Sequence, residues 1–178
     1  MPGFAIHIAV AKEYIKKHKQ EIKNEEEFIK GTIAPDLDET MQEVSKDKSK
    51  THYGEWGKYQ QTTYFDRFFE DKNVDLNQDY WKGYLLHLIA DYYFYKVYFS
   101  KETNAIQENN DTFYRDYDYL NKFLIEKYDI KMIAGKPHNF PVIEKYIGIV
   151  EGNGKYLEKD RIIKFIDEVS SKELKNPN

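Results

Sequence analysis

The chain has 178 residues, of which 40% are hydrophobic, so it is long enough to bury the core of one domain spanning residues 1–178. Its 27 basic and 31 acidic residues give a net charge of −4, which offers no electrostatic reason to expect duplex nucleic acid as a partner. It contains no cysteine, so disulfides and thiolate ligands are excluded and any metal site must use histidines and carboxylates.

Hydrophobic spacing predicts several helices in the first half of the chain. Apolar residues recur at helical intervals over residues 4–20. Residues 24–30, NEEEFIK, predict a second, short helix, because Asn24 can cap it and acidic residues fill its first turn. A proline-containing turn follows, and SKDKSK, residues 45–50, predicts a solvated loop. A further helix is expected over about residues 58–71.

The second half of the chain predicts longer helices and no strands. Asn77 or Asp79 begins a helix that is expected to end near Ser100. The remaining helices are expected over residues 110–128, 142–150 and 158–172. We find no alternating strand pattern and no internal repeat. The fold predicted is all-α, a single-domain bundle of about six to eight helices with a metal site in its core.

The longest apolar run, YLLHLIADYYFY over residues 84–95, is too short to span a bilayer. The start of the chain, MPGFAIHIAVAKEYIKKHK, lacks the basic leader of a secretory signal. We therefore predict a cytoplasmic protein without a transmembrane segment. The sequence specifies no oligomeric state.

This apolar run contains two ionisable residues, His87 and Asp91. Residues four apart on a helix have Cβ atoms about 5–6 Å apart, so both side chains project from the same face. That spacing suits a simple histidine–aspartate hydrogen bond, and it equally suits two ligands of one metal ion. A divalent cation would remove the cost of burying an unpaired carboxylate.

Four further residues strengthen the case for a metal. His7 lies on the apolar side of the first helix, Asp36 follows a proline in a tight turn, and His52 lies between a lysine-rich loop and two glycines. The helical repeat places Asp116, and not Asp118, on the apolar face of its helix. The choice of Asp116 or Asp118 as an additional ligand stays open. Each alone could be a packed histidine or a turn aspartate. Together they predict one or two shared ions, zinc (Zn²⁺) first, with Mn²⁺, Fe²⁺ or Mg²⁺ as alternatives.

The order of these residues resembles the bacterial zinc-dependent phospholipase C family, whose wider superfamily includes zinc-dependent single-strand nucleases. The motifs are HIAVA with His7, FIKGTIAPDLD with Asp36, KTHYG with His52, and GYLLHLIAD with His87 and Asp91. The resemblance implies that the last four residues share one ion and that Asp91 bridges to a second ion, which His7 also holds. Asp116 is our candidate for completing the second site. This choice follows from the helical phase alone and not from the family.

In that family a third metal ion is bound by a histidine shortly after the HxxxD motif, and this sequence lacks that histidine. Residues 92–99, YYFYKVYF, contain none. We therefore expect a metal-dependent phosphoesterase, phospholipase C-like, that hydrolyses a phosphodiester or phosphomonoester of a small molecule or lipid with metal-activated water. Asp36 is the candidate general base. Lys50, Arg67 and Arg115 are candidates for neutralising the phosphate.

Two other functions fit the same residues. One is a metal nuclease or nucleotide phosphohydrolase. The other is a non-catalytic helical domain that a metal ion stabilises, for which closed coordination by protein ligands would be evidence. A metal-free bundle in which the histidines are merely packed is a third interpretation.

Overall fold

The computed structural model of the chain describes residues 3–41, 43–55, 63–102, 110–130 and 147–178. Within these ranges the chain is helical and forms no β-strand, which confirms the all-α prediction. The helices are α1 (Phe4–Lys17), α2 (Glu25–Ile33), α3 (Lys48–Thr51), α4 (Phe65–Glu70), α5 (Asp79–Tyr93), α6 (Asn110–Lys127) and α7 (Lys159–Val169). A 3₁₀ turn, Ala34–Asp36, follows α2, and a π-helical segment, Phe94–Tyr98, continues α5. No helix in the described ranges is long and apolar enough to cross a membrane.

Three predicted elements differ from the structure. The helix predicted over 58–71 begins only at Phe65, and residues 58–62 of that prediction lie outside the described ranges. The loop predicted over residues 45–50 contains the start of α3, which Asp47 caps by accepting a hydrogen bond from the Ser49 amide at 3.1 Å. The helix predicted over 142–150 is absent from its described part, residues 147–150, which are irregular. There the chain lies along α6, where the Asn121 side chain donates to the Gly148 carbonyl at 2.7 Å. This hydrogen bond takes the place of a helical one at the Gly148 carbonyl.

Helix α1 forms the centre of the bundle and contacts α2, α5, α6 and α7. Its residues from Phe4 to Ala11 are all buried, including His7. A helix that is buried on all sides belongs in a core, so a polar side chain on it must find its partner inside the protein. Aromatic rings fill much of the surrounding space: the Phe94 ring, for example, meets that of Phe165 edge to face at 5.5 Å.

Helices α2 and α5 cross with their backbones in contact. A Cβ atom on Gly31 would lie 1.9 Å from the Tyr80 carbonyl oxygen, and one on Gly83 would lie 1.9 Å from the Phe28 carbonyl oxygen. No other residue type fits at such a distance, because every other side chain begins with a Cβ. This crossing brings one face of α5 within hydrogen-bonding reach of the main chain of α2.

A buried carboxylate fixes the end of the same helix pair. Asp79, the first residue of α5, accepts hydrogen bonds from the Lys23 and Asn24 amides at 2.8 and 2.7 Å, and from the Lys82 ammonium at 2.8 Å. Asn24 caps α2, as predicted, by accepting from the Glu27 amide at 3.1 Å. The starts of α2 and α5 are therefore tied together, which sets the register of α5 against α2.

Candidate metal centre

Five ionisable side chains meet in the interior of the bundle. They are His7 from α1, Asp36 from the 3₁₀ turn, His52 directly after α3, and His87 and Asp91 from α5. None is more than 2% exposed. Their donor atoms form two overlapping groups that share His87, and within each group all the atoms lie within 4.8 Å of one another. Four separate segments of the chain thus place nitrogen and oxygen donors around one volume.

Most distances between donor atoms match those around a single ion, although His87 Nε2 lies 3.9 Å from Asp36 Oδ1 and 3.8 Å from Asp91 Oδ2. His52 Nε2 lies 3.1 Å from His87 Nε2 and 3.3 Å from Asp91 Oδ2. It lies 3.5 Å from Asp36 Oδ1, and His7 Nε2 lies 3.3 Å from Asp91 Oδ1. Ligands bound tetrahedrally at about 2.0–2.2 Å are about 3.4 Å apart. The cluster is therefore close to the geometry that a bound cation requires.

The hydrogen bond that His87 makes with its other ring nitrogen sets its orientation. His87 Nδ1 lies 2.7 Å from the Thr32 carbonyl oxygen of α2. A carbonyl only accepts, so Nδ1 carries the hydrogen and Nε2 turns its lone pair to the cluster. Burial, followed by the neighbouring His7, lowers the pKa of His87 from 6.5 to about 3, so the ring is neutral at pH 7. A neutral imidazole in this tautomer is the form that binds a metal.

His52 is held in the same way. Its Nδ1 lies 3.0 Å from the Lys48 carbonyl oxygen, one helical turn earlier. The Thr51 hydroxyl oxygen lies 3.1 Å from the same nitrogen and could donate to it in the opposite tautomer. With Nδ1 protonated in both rings, the Nε2 lone pairs of His52 and His87 face each other at 3.1 Å. In that tautomer both lone pairs could bind one cation, whereas in the other tautomer His52 Nε2 would donate a hydrogen bond to His87 Nε2.

His7 and Asp91 carry buried polar atoms that make no well-directed hydrogen bond among the described residues, although His7 Nε2 and His52 Nε2 each lie 3.3 Å from an Asp91 oxygen. Both ring nitrogens of His7 and both carboxylate oxygens of Asp91 are buried without a hydrogen-bond partner among the described residues. Burial raises the pKa of Asp91, but His87 beside it reverses that effect, and the net pKa is well below 3.8. Asp91 is therefore an ionised, buried carboxylate, a group whose burial is costly unless it is paired or binds a metal. The donor set fits a metal ion.

Asp36 forms an ion pair at the edge of the cluster. Its Oδ1 lies 3.0 Å from the Lys48 Nζ. Burial raises the pKa of Asp36, but Lys48 and then His87 outweigh it and lower the pKa to about 2. Asp36 is therefore ionised at neutral pH. Both predicted roles of Asp36, metal ligand and general base, require this ionised form.

Asp116 is buried, as its helical phase predicts, but the structure does not bring it to the cluster. Its Oδ1 accepts a hydrogen bond from the Lys155 amide at 2.9 Å, and its Oδ2 accepts from the Tyr156 and Leu157 amides at 2.5 and 3.0 Å. These bonds anchor the segment before α7 onto α6. The structure therefore gives Asp116 a structural role in place of the predicted metal-ligand role. Asp118 is only half-buried and is likewise outside the cluster.

A cavity of about 300 Å³ adjoins the cluster. Asp36 and Lys48 form its wall on the cluster side. The rest of the lining is mainly aromatic and apolar: Gly3, Phe4, Val44, Tyr114, Tyr117, Asp118, Asn121 and Ile147. Small-molecule sites usually have this composition, with a few placed polar groups on an apolar wall.

None of the basic residues proposed from the sequence lines this cavity in the described structure. Lys50 faces a separate groove, Arg67 donates to the Gly54 carbonyl at 3.1 Å, and Arg115 is exposed. Lys48 lines the cavity in place of those three residues, although it was not among the predicted phosphate-neutralising residues. Its signal was present, since Lys48 precedes His52 by four residues and shares its side of a helical turn.

Comparison of the chain with protein-family models, with curated proteins and with solved structures gives no match. The resemblance to the zinc-dependent phospholipase C family therefore rests on its motifs alone. The fold and the site define an all-α protein whose buried histidine–aspartate cluster can hold a metal ion.

Proposed function

We propose that the protein is a metal-dependent phosphoesterase, phospholipase C-like, that hydrolyses a phosphodiester or phosphomonoester. The observation that carries the proposal is a set of buried metal-ligand atoms without well-directed hydrogen bonds, next to a cavity that can admit a substrate. Both ring nitrogens of His7 and both oxygens of Asp91 lack hydrogen bonds within the part of the chain that the structure describes. Asp36 belongs both to the cluster and to the cavity wall.

Two histidines and two carboxylates, His52, His87, Asp36 and Asp91, would hold one ion, and His7 would share Asp91 with a second. This nitrogen and oxygen donor set suits zinc first, with Mn²⁺, Fe²⁺ or Mg²⁺ as alternatives. When bound, such an ion activates water at neutral pH and stabilises negative charge on phosphoryl oxygens.

The residues of the chain supply the positioning. Asp36, ionised and in the shared wall, would orient a water molecule towards the cavity. The apolar lining would hold the ester group and keep bulk water from the reacting centre. Burial raises the pKa of Tyr117 well above 10, so its hydroxyl stays protonated in the cavity wall. A protonated Tyr117 adds no negative charge beside a phosphoryl group.

The test combines metal content with hydrolysis. Purified protein would be treated with a chelator and reloaded with zinc or manganese. It would then be assayed with bis(p-nitrophenyl) phosphate, p-nitrophenyl phosphate, a nucleotide panel and phosphatidylcholine. We expect wild-type protein to bind at least one ion and to hydrolyse one of these phosphoesters only when loaded. Hydrolysis confined to nucleotides would instead indicate the nuclease or nucleotide phosphohydrolase alternative.

Asp91→Asn and Asp116→Asn form a matched pair for this test. Each removes the charge of a buried aspartate without changing its size. We expect the first to lose metal and activity, and the second to keep both at a temperature where it is folded. Stoichiometric metal in Asp91→Asn protein would refute the assignment of the site.

One observation favours a second function, a metal-stabilised domain without catalysis. All five cluster residues are at most 2% exposed, and closed coordination is typical of structural sites. Full metal occupancy, with a melting temperature that depends on the metal and no hydrolysis of any substrate in the panel, would establish this alternative.

A further inference from the structure

Lys48 stands at the boundary between the buried cluster and the cavity. Its ammonium lies 3.0 Å from Asp36 Oδ1, and its side chain is 18% exposed whereas that of Asp36 is 2% exposed. Both residues line the cavity. The main chain of Lys48 also contributes, because its carbonyl oxygen holds the Nδ1 of His52. One residue therefore contacts two members of the cluster and the space where a substrate would lie.

The local structure accounts for this position. Lys48 is the first residue of α3, and Asp47 caps that helix through the Ser49 amide. Residues four apart lie on the same side of a helical turn, so the turn that presents His52 to the cluster also presents Lys48 to it. Lysine has a flexible four-carbon stem, so its ammonium can move between neighbouring acceptors while the main chain stays in place.

Lys48 is also the basic residue of the cavity, since the other described lining residues are acidic, polar or apolar. An anionic group that enters from solvent would meet it at the wall shared with the cluster. While no cation is bound, Lys48 neutralises Asp36. If Asp36 bound a divalent ion, its charge would be neutralised and its attraction for the Lys48 ammonium would weaken. An anion in the cavity would then compete better for the ammonium.

We propose that Lys48 is the phosphate-binding residue of this site and that it exchanges Asp36 for a phosphoryl oxygen of the substrate when Asp36 binds the ion. The inference rests on the proposed function and deepens it. It assigns substrate binding to a residue outside the metal ligands. It also predicts that removing the Lys48 charge weakens phosphate binding without weakening metal binding.

Replacing Lys48 by methionine keeps the length of the stem and the main-chain bond to His52, and removes the charge. Zinc should bind with equal or higher affinity, because a competing cation beside Asp36 is gone. Inorganic phosphate should bind about tenfold more weakly or worse, since a charge-assisted hydrogen bond is lost. If Lys48 merely supported the fold, both ligands would bind more weakly. Lys48→Arg restores a cation and should bring phosphate affinity back to within about threefold of wild type.

The experiment uses the full chain. Zinc affinity is measured by competition with a chromogenic chelator, and phosphate is then titrated into zinc-loaded protein by calorimetry. Lys50→Met is the matched control, because Lys50 is two residues away and faces a different groove. Melting curves verify that each variant is folded.

We expect Lys48→Met alone to lose phosphate affinity. Unchanged phosphate affinity in that variant, or zinc and phosphate affinities that fall together, would overturn the inference while leaving the metal site intact. If wild-type protein bound no zinc and no other divalent ion, the proposed function would fail and this inference with it.

Discussion

The crossing of α2 and α5 supports a prediction that links the fold to the site. In Gly83→Ala, the new Cβ would lie 1.9 Å from the Phe28 carbonyl oxygen. Carbon and carbonyl oxygen atoms come no closer than about 3.3 Å, so the helices must separate locally by more than about 1 Å. His87, one turn further along α5, donates to Thr32 of α2 at 2.7 Å. That hydrogen bond would stretch towards or beyond the limit of about 3.5 Å at which it ceases to count as one.

The expected loss of stability combines two effects. Overpacking of a tight contact costs about 1–3 kcal/mol, and a weakened buried hydrogen bond adds about 1 kcal/mol. For a domain of this size, a loss of about 2–4 kcal/mol lowers the melting temperature by roughly 4–16 °C. Metal affinity should fall as well, because His87 loses the partner that fixes its tautomer and orientation.

The assay is thermal melting of metal-free protein, followed by zinc titration. Gly31→Ala, at the same crossing, should behave like Gly83→Ala. Gly3→Ala is the control, because its Cβ would meet no atom closer than 3.3 Å, in the Tyr117 ring. If Gly83→Ala protein had the melting temperature and the zinc affinity of wild type, the close helix crossing and its role in holding His87 would be refuted.

Three further predictions follow from the same structure. If the free metal ion is at a hundred times its Kd, chelation of metal-loaded protein should lower the free energy of unfolding by about 2.7 kcal/mol. The loss should appear as a lower melting temperature. An unchanged melting temperature would argue against a bound ion. Asp116→Asn should cost about 2–4 kcal/mol in urea unfolding and leave metal content unchanged, because up to three backbone amides lose a charged acceptor. Burial raises the pKa of Asp79, but the Lys82 ammonium and then the Asn24 and Lys23 amides outweigh burial and lower this pKa below 3.8. The ionised Asp79 therefore stabilises the fold above pH 3.8, and this contribution is lost as the pH falls through the lower pKa of the folded state. The stability difference between wild type and Asp79→Asn should therefore shrink in acid, and a pH-independent difference would contradict the ion pair.

The sequence by itself determined the helical class of the protein and the residues of the cluster. Periodic apolar positions and caps act within a few residues, so α1, α2 and the start of α5 at Asp79 follow from local pattern. His7, His87 and Asp91 were recognisable because ionisable groups on apolar faces need partners in the interior. Asp36 and His52 lie outside such faces and were identified together with them and with the motifs of the resemblance. Helical phase likewise gave the burial of Asp116 correctly.

The tertiary structure alone decided the partners of these groups. Asp116 meets the amides of residues 155–157, about forty positions away in the chain, and no local pattern indicates where a distant backbone donor will lie. Lys48 appeared to belong to a solvated loop, because a single helical turn is too short to show periodicity and is stabilised by its surroundings. The contact of Gly83 with α2 depends on how closely two helices approach, which is a property of their packing and not of either sequence segment. Local interactions thus fixed the longer helices and the burial of the charges on their apolar faces, whereas long-range packing fixed α3 and which of those charges meet.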